Sequence, residues 1–189
     1  MLTDDSYLPG VQVLVDSLRK HSDRQLVVLC SSDAKSLHRA TIIQLYKLPN
    51  LIIKMVPPIP NLQEEESIKE GEPKPSWVGS AYTKLHIWNM LEYEKVLYID
   101  ADCLIMDKVD QLLELDCDFA AAPDVFPPDH FNAGVLLVKP SLRTFKILLA
   151  RTRMKEFASY DKGDTGFLNA SFQKTWYNQK EEFPHAAPD

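Results

Sequence analysis

Two carboxylates one residue apart, Asp100 and Asp102, close the run Val96-Leu97-Tyr98-Ile99-Asp100-Ala101-Asp102. The apolar residues before them read as a buried strand. Because strand side chains alternate between faces, both carboxylates are expected to point the same way. The carboxyl end of a strand in an α/β sheet is where ligands bind. Hard oxygen donors at that place suit Mn²⁺ or Mg²⁺, ions that can share their coordination with a diphosphate. A second Asp-x-Asp, Asp116 and Asp118, follows a predicted helix and precedes a predicted strand. It lacks the strand-end geometry and reads as a pair of surface caps.

Other chemistries of paired aspartates fit less well. Haloacid-dehalogenase-type phosphatases place a nucleophilic Asp and an acid/base Asp at such a strand end, and Gly163-Asp164 could mimic their later acidic motif. Here Leu104 stands where Thr or Val is expected, Asn169 leaves the late acidic pair incomplete, and a long stretch of chain precedes Asp100. This stays a remote alternative. The six glycines are scattered at 10, 71, 79, 134, 163 and 166, so neither a Walker loop nor a Gly-x-Gly-x-x-Gly turn is present.

The elements that must position these groups alternate between helix and strand. Gly10 to His21 places Val11, Leu14, Val15 and Leu18 on one helical face, and Gln25 to Cys30 is a short apolar strand. Asp33 is expected to cap a helix running to Leu45, followed by an Ile- and Val-rich strand from Leu51 to Val56. Residues 57–79, with five prolines and the acidic run Glu64 to Glu66, predict a surface loop with solvated charges; a lid is the lesser reading. A helix over Ala81–Leu91, a strand over Lys95–Ile99, a short helix over Val109–Leu115 and strands at Phe119–Ala122 and Val135–Val138 follow. A helix from Ser141 to near Lys155 comes next, and Asp164-Thr165-Gly166-Phe167-Leu168-Asn169 opens another with an acidic first turn. The pattern predicts one α/β domain over residues 1–189. The chain begins almost inside its first motif, and the polar, Pro-containing stretch after Trp176 supplies no closing element, so the domain is expected to be truncated at both ends.

Composition narrows the function classes. With 189 residues, 45% of them hydrophobic, the chain can bury a full core. A net charge of -6 argues against broad attraction to nucleic acid or anionic lipid and suits a cation site. Cys30, Cys103 and Cys117 have neither zinc-knuckle nor disulfide-framework spacing, so a reducing compartment is expected. No segment approaches the ~20 apolar residues of a membrane span. The expected location is cytoplasmic, or the Golgi or another secretory lumen if an upstream anchor is missing.

Five stretches in order carry a family resemblance: Tyr82-Thr83-Lys84-Leu85-His86, Tyr98-Ile99-Asp100-Ala101-Asp102, Ala122-Pro123-Asp124, Phe131-Asn132-Ala133-Gly134-Val135, and Asp161 through Asn169. Together they resemble the successive motifs of family-8 glycosyltransferases, the glycogenin-like enzymes. The resemblance implies a single-domain nucleotide-diphospho-sugar transferase (GT-A) fold with a mixed, mainly parallel sheet flanked by helices. The activity implied is retaining, Mn²⁺-dependent transfer of a hexosyl group, glucose first, from a UDP-sugar to a glycan, protein or lipid hydroxyl. A homodimer is possible on the same basis.

The resemblance also implies roles. Thr3, Asp4 and Tyr7, at the end of a mostly missing first strand, would line the uridine pocket, with Tyr7 stacking on the ring. Lys84 would face the donor phosphates, where a cation offsets charge on the leaving diphosphate; its plainer reading is a solvated lysine. His86 reads as structural. Asp100 and Asp102 would hold the metal, and Ala101 would meet the nucleotide through its backbone. Asp124, Asn132, Ala133, Asp161, Asp164 and Thr165 would surround the sugar; Ala133 replaces a frequent Ser and Thr165 a common Gln. Asp164 would be the catalytic carboxylate, stabilising positive charge at the anomeric carbon. The family's third metal ligand, a His with a nearby Lys, has no counterpart between Trp176 and Asp189, and His185 lacks the right neighbours. The alternative is therefore a truncated or degenerate nucleotide-sugar-binding module without catalysis, and this fragment is expected to be inactive.

Overall fold

The computed structural model describes residues 1–33, 37–62, 80–125 and 130–178, with side chains as far as Phe172. His185 and most of the Pro-rich loop lie outside them. Among the described residues there are five strands: β1 (Leu26–Ser31), β2 (Leu51–Val56), β3 (Val96–Ile99), β4 (Phe119–Pro123) and β5 (Phe131–Val138). The α-helices are α1 (Leu8–Leu18), α2 (Arg39–Leu45), α3 (Leu142–Arg151) and α4 (Asp164–Asn178). Among the described residues no helix is long and apolar enough to cross a membrane.

The sheet pairing is mixed, as expected, but parallel pairs are not the majority among the described residues. β1 and β2 pair in parallel, from Leu26 opposite Leu51 to Ser31 opposite Val56. Leu2 adds a parallel bridge on the other side of β1, opposite Cys30. β3, β5 and β4 form an antiparallel group in that order, with Ile99 opposite Val135 and an irregularity at Ala121/Ala122. Hydrogen bonding carries the β3 pairing one residue further, since the Asp100 N–H donates to Gly134 O at 2.8 Å.

α1 buries Val11, Leu14, Val15 and Leu18 on one face, as their spacing predicts, Val11 and Val15 against Val28 and Cys30 of β1 and Leu14 and Leu18 against Ile105. Pro9 is accommodated because the first helical turn needs no N–H donor. Two local expectations need correction. α2 begins at Arg39, not after Asp33, because His38 takes the extended N-cap backbone while its ring is drawn away to Asp5. The helix expected over Ala81–Leu91 is a 3₁₀ helix over Thr83–Asn89, while the short helix expected over Val109–Leu115 is present as a 3₁₀ helix over Asp110–Glu114. Thr83 through Trp88 are all buried. With no solvent face to keep in phase, packing on all sides overrides the 3.6-residue period.

The larger core cluster gathers the Thr83–Asn89 segment, β3, β5, α3 and α4, and includes Leu85, Ile87, Trp88, Leu136, Leu148 and Phe167. His86 belongs to this framework, as expected: its Nε2 lies 2.9 Å from Pro57 O and its ring stands 5.4 Å from Phe145. Burial pushes its pKa down, which suits a neutral structural imidazole.

Candidate active site

Three elements converge because their first residues are pinned to one another. Tyr82, just before the Thr83–Asn89 segment, stacks on Phe167 in the first turn of α4 at 4.5 Å. Asn169, two residues further, uses its side-chain amide as a strand would: it accepts from Phe131 N–H at 3.1 Å and donates to Phe131 O at 2.7 Å. The start of α4 is thereby fixed to β5, and β5 is fixed to the end of β3.

Lys84 stands at the meeting point. Its ammonium lies 2.5 Å from Asp164 Oδ2 and 3.3 Å from each oxygen of Asp100, and it donates to Ala133 O at 2.8 Å. Only 2% of its side chain is exposed, against 34% for Asp100 and 25% for Asp164. The solvated-lysine reading is therefore wrong. Tyr98 completes the cradle, donating to Asp100 Oδ1 at 2.5 Å and presenting its ring 4.8 Å from the Lys84 nitrogen.

The charges explain why these groups tolerate burial. Burial pushes the Asp164 carboxyl above its ordinary range, while Lys84 pulls it back. Burial, followed by the Asp100 charge, raises the Tyr98 phenol well above its usual value, so Tyr98 keeps its proton and remains a fixed donor. Lys84 is thus the ammonium set between Asp100 and Asp164, with Asp102 close enough to act on the same neighbours.

Asp102 is placed differently from the sequence expectation. β3 ends at Ile99, and Asp100 to Asp102 form a turn closed by Cys103 N–H donating to Asp100 O at 3.2 Å. Strand alternation thus does not relate the two carboxylates: Asp102 is exposed and Asp100 half-buried. Both nevertheless act on the same neighbours, raising the Tyr98 and Cys103 pKa values behind the larger effect of burial. Asp116 and Asp118 are both exposed, and Asp118 makes a 3.4 Å surface pair with Lys139, in keeping with a surface role.

The remaining predicted residues divide into those joined to this centre and those apart from it. Ala133 is fully buried, and its N–H donates to Thr165 Oγ1 at 3.2 Å, so the two positions that depart from the family pattern touch each other. Asn132 Oδ1 accepts from Gly134 N–H at 2.7 Å. A Cβ at Gly134 would sit 2.9 Å from that oxygen and 3.4 Å from Asp100 Oδ2, so only glycine leaves both in place. Asp161 Oδ1 accepts from Gly163 and Gly166 N–H at 2.9 and 3.0 Å and orders the approach to α4. Asp124 accepts from Val125 N–H at 2.7 Å, at the end of β4. Thr3, Asp4 and Tyr7 follow Leu2 near the end of β1; Asp4 caps the Asp5–Tyr7 turn, and Tyr7 is 43% exposed. Ala101 is buried against Gly10, where a Cβ would approach Ala101 O to 2.6 Å.

Sequence reasoning passed over Tyr98, Gly134, Asn169 and Gly10. Tyr98 was recoverable, since strand alternation places it on the same face as Asp100.

The residues suit a hard cation in part. Asp100 and Asp102 are oxygen donors, while among the described residues no group of three His, Cys, Asp or Glu could hold a metal ion. An ion bound through one or two carboxylates with its remaining positions on substrate phosphates and water fits such a donor set.

Residues 1–184 match the model of glycosyl transferase family 8. The chain belongs to this family. Human glycogenin-2 is 36% identical over 177 residues, 93% of this chain and 33% of the relative. Rabbit glycogenin-1 is 33% identical over 173 residues, covering 91% of this chain and 49% of the relative. An Arabidopsis thaliana protein named UDP-glucuronate:xylan alpha-glucuronosyltransferase 2 is 28% identical over 179 residues, 94% of this chain and 27% of the relative. The family-8 chain thus spans between about a quarter and a half of these relatives' lengths. Among solved structures, the Streptococcus pneumoniae glycosyltransferase GlyE superposes with a TM-score of 0.61 at 19% identity, over 99% of this chain and 50% of that one. The bifunctional glycosyltransferase WbbM gives 0.64 at 18%, over 90% and 36%. These likenesses establish the GT-A fold of this family-8 chain.

Proposed function

We propose that the chain is the donor-binding part of a retaining hexosyltransferase that takes a UDP-sugar, with glucose as the sugar and Mn²⁺ or Mg²⁺ as the ion. The observation that carries this reading is the burial of Lys84 between Asp100 and Asp164, which joins the strand-end carboxylate to the acidic start of α4. The names of the relatives support sugar transfer, and that of the Arabidopsis protein supports a UDP-linked donor.

In this reading Asp100 and Asp102 hold the ion, which when bound neutralises charge on the diphosphate. Tyr98 fixes the orientation of Asp100, and Lys84 offsets negative charge gathering on the departing diphosphate as the bond from the anomeric carbon breaks. Asp164 stabilises the positive charge left on the sugar, and the acceptor hydroxyl bonds to the anomeric carbon and passes its proton to the departing diphosphate oxygen. Thr3, Asp4 and Tyr7 receive the uridine, with Ala101 meeting it through its backbone, while Asp124, Asn132, Ala133, Asp161 and Thr165 bound the sugar. The acceptor is a glycan, protein or lipid hydroxyl.

Calorimetric titration with UDP-glucose, with and without Mn²⁺, tests this. Asp100→Asn and Asp102→Asn should each abolish the Mn²⁺-dependent part of binding, whereas Asp116→Asn/Asp118→Asn should leave it intact. Equal affinity in the first two variants and the parent chain would refute the metal assignment, and equal losses in all variants would show that the wrong carboxylates were chosen.

A further inference from the structure

α1 ends at Leu18 and β1 begins at Leu26, and the turn between them is built around one side chain. Arg19 donates through Nη1 to Ser22 O at 3.2 Å and Arg24 O at 2.8 Å, and through Nη2 to Asn50 O at 2.8 Å. These neutral carbonyls hold the guanidinium in place without cancelling its charge. Its Nε has no acceptor, and among the described residues neither Arg19 nor Lys20 pairs with a carboxylate. The turn walls a surface cavity of about 470 Å³, bounded on its other side by Asp110. None of the candidate active-site residues lines it. The cavity lies at the amino end of β1, whereas Leu2 bridges to Cys30 near that strand's carboxyl end, most of a six-residue strand away at ~3.3 Å per residue.

The cavity is supplied with hydrogen-bond donors. Lys20 brings an ammonium. Arg24 keeps its two terminal nitrogens, because its approach to Asp110 is made through Nε, at 3.5 Å, between side chains 61% and 36% exposed; such a surface pair is weak. Ser22 is buried, and its Oγ accepts from Arg24 N–H at 3.1 Å. The Ser22 hydroxyl hydrogen has no acceptor among the described residues. The carbonyl end of a helix repels anions, but here its last carbonyls are occupied: Val15 O accepts from Arg19 N–H, Ser17 O from Lys20 N–H, and Leu18 O from both His21 and Ser22 N–H.

We propose that this cavity binds a phosphoryl group, either as the free ion or carried by a small hydroxylated molecule. Lys20, the terminal nitrogens of Arg24 and the Ser22 hydroxyl donate to its oxygens, and Arg19 supplies positive charge behind them while staying on its carbonyls. Several charge-assisted donors meeting at one place suit a group with three oxygens and a full negative charge better than a neutral ligand. The volume falls within the range of small-molecule sites, about 300–1,000 Å³. Asp23 and Asp110, which line the same cavity, can accept from hydroxyls on the carrier. The inference is independent of the sugar-transfer reading, since the two sites share no residue.

The test is an amide-resolved NMR titration of the 189-residue chain with inorganic phosphate, glycerophosphate and glycerol at physiological ionic strength. The phosphates should shift the amides of Lys20 to Arg24 and of Asp110 saturably, with a Kd of about 1 mM or tighter, and glycerol should shift none of them. Tighter binding of glycerophosphate assigns a hydroxylated ester as the occupant, and equal binding assigns the free ion. Lys20→Gln and Arg24→Gln should each weaken binding about tenfold, the worth of one charge-assisted hydrogen bond. Lys146→Gln, which removes an exposed cation from α3, should leave it unchanged. Arg19 stays in place throughout, because the turn is hung on its guanidinium. No saturable shift in the turn, equal losses in all three variants, or shifts confined to Lys84 and the Asp100–Asp102 turn would overturn the proposal.

Discussion

Replacing Lys84 with Met keeps most of the buried stem and deletes the charge between Asp100, Asp164 and Ala133 O. Removing one partner of a buried ion pair costs roughly 3–5 kcal/mol, mainly by stranding the other charge. Asp100 and Asp164 retain 34% and 25% of their side-chain exposure, so water recovers part of that loss. The expected cost is therefore near the lower end, about 3 kcal/mol, or a fall of roughly 6–12 °C in melting temperature for a chain of this size. The pH dependence follows from the same geometry. Burial already holds the Asp164 pKa above its ordinary value, and Lys84 is the main opposing influence, so its loss moves that pKa further up. A carboxyl whose folded pKa exceeds its unfolded one takes its proton first in the folded state, and acidification relieves its penalty. Thermal unfolding followed by circular dichroism should thus show the largest gap between Lys84→Met and the parent at pH 7. The gap should shrink as pH falls toward about 4. Adding Asp100→Asn and Asp164→Asn to Lys84→Met should restore at least about half of the lost stability, because the stranded charges are gone. A melting temperature within about 2 °C of the parent, or a deficit equal at both ends of the pH range, would refute the claim that Lys84 is the neutralising partner of a buried acidic centre.

Gly10→Ala should push on the Ala101 peptide, since the added Cβ would lie 2.6 Å from Ala101 O. The clash costs about 1–3 kcal/mol, partly offset by the better helix propensity of Ala, about 1 kcal/mol. Displacing the peptide between Asp100 and Asp102 should nevertheless weaken Mn²⁺-dependent UDP-glucose binding about tenfold or more, ~1.4 kcal/mol, so titration should fall further than the melting temperature. Asp5 accepts from the Thr41 hydroxyl at 2.5 Å, meets the His38 ring and accepts from His38 N–H at 3.0 Å, which together lower its pKa from 3.8 to about 2. A depressed folded pKa gives stability that is present above 3.8 and lost as pH falls toward 2. Acid unfolding of Asp5→Asn should be correspondingly flatter across that window, and an unchanged acid limb would count against a stabilising role for the Asp5 carboxylate.

How much of this was legible in the sequence depends on the kind of force involved. β2 was bounded correctly at Leu51 and Val56, and β1 and β3 to within a residue, because short runs of Ile, Val and Leu leave a chain few alternatives to a buried strand. β5 extends four residues earlier than its apolar stretch, through Phe131, Asn132, Ala133 and Gly134. That extension is held by partners remote in sequence, Asn169 on Phe131 and Asp100 N–H on Gly134 O. Local pattern carries no trace of such bonds. The Thr83–Asn89 segment failed for the opposite reason, its periodicity being real but overruled by burial on every side.

The same division runs through the site. Spacing singled out Asp100 and Asp102, and motif order linked them to Lys84 and Asp164, yet the alternation argument for the first pair does not hold, since Asp102 stands in a turn beyond the strand. What spacing could not supply is the neutralisation scheme. A lysine with 2% exposure is tolerable only where carboxylates receive it, so the burial of Lys84 and the identity of its partners are one physical fact, visible only when the segment, the strand end and the helix start are brought together. Tyr98 illustrates the converse: alternation alone places it beside Asp100, and its raised phenol pKa then makes it a donor that keeps its proton. The centre therefore sets one buried cation and one fixed donor among Asp100, Asp102 and Asp164. The Lys84→Met variant tests that arrangement by removing the one cation the carboxylates share.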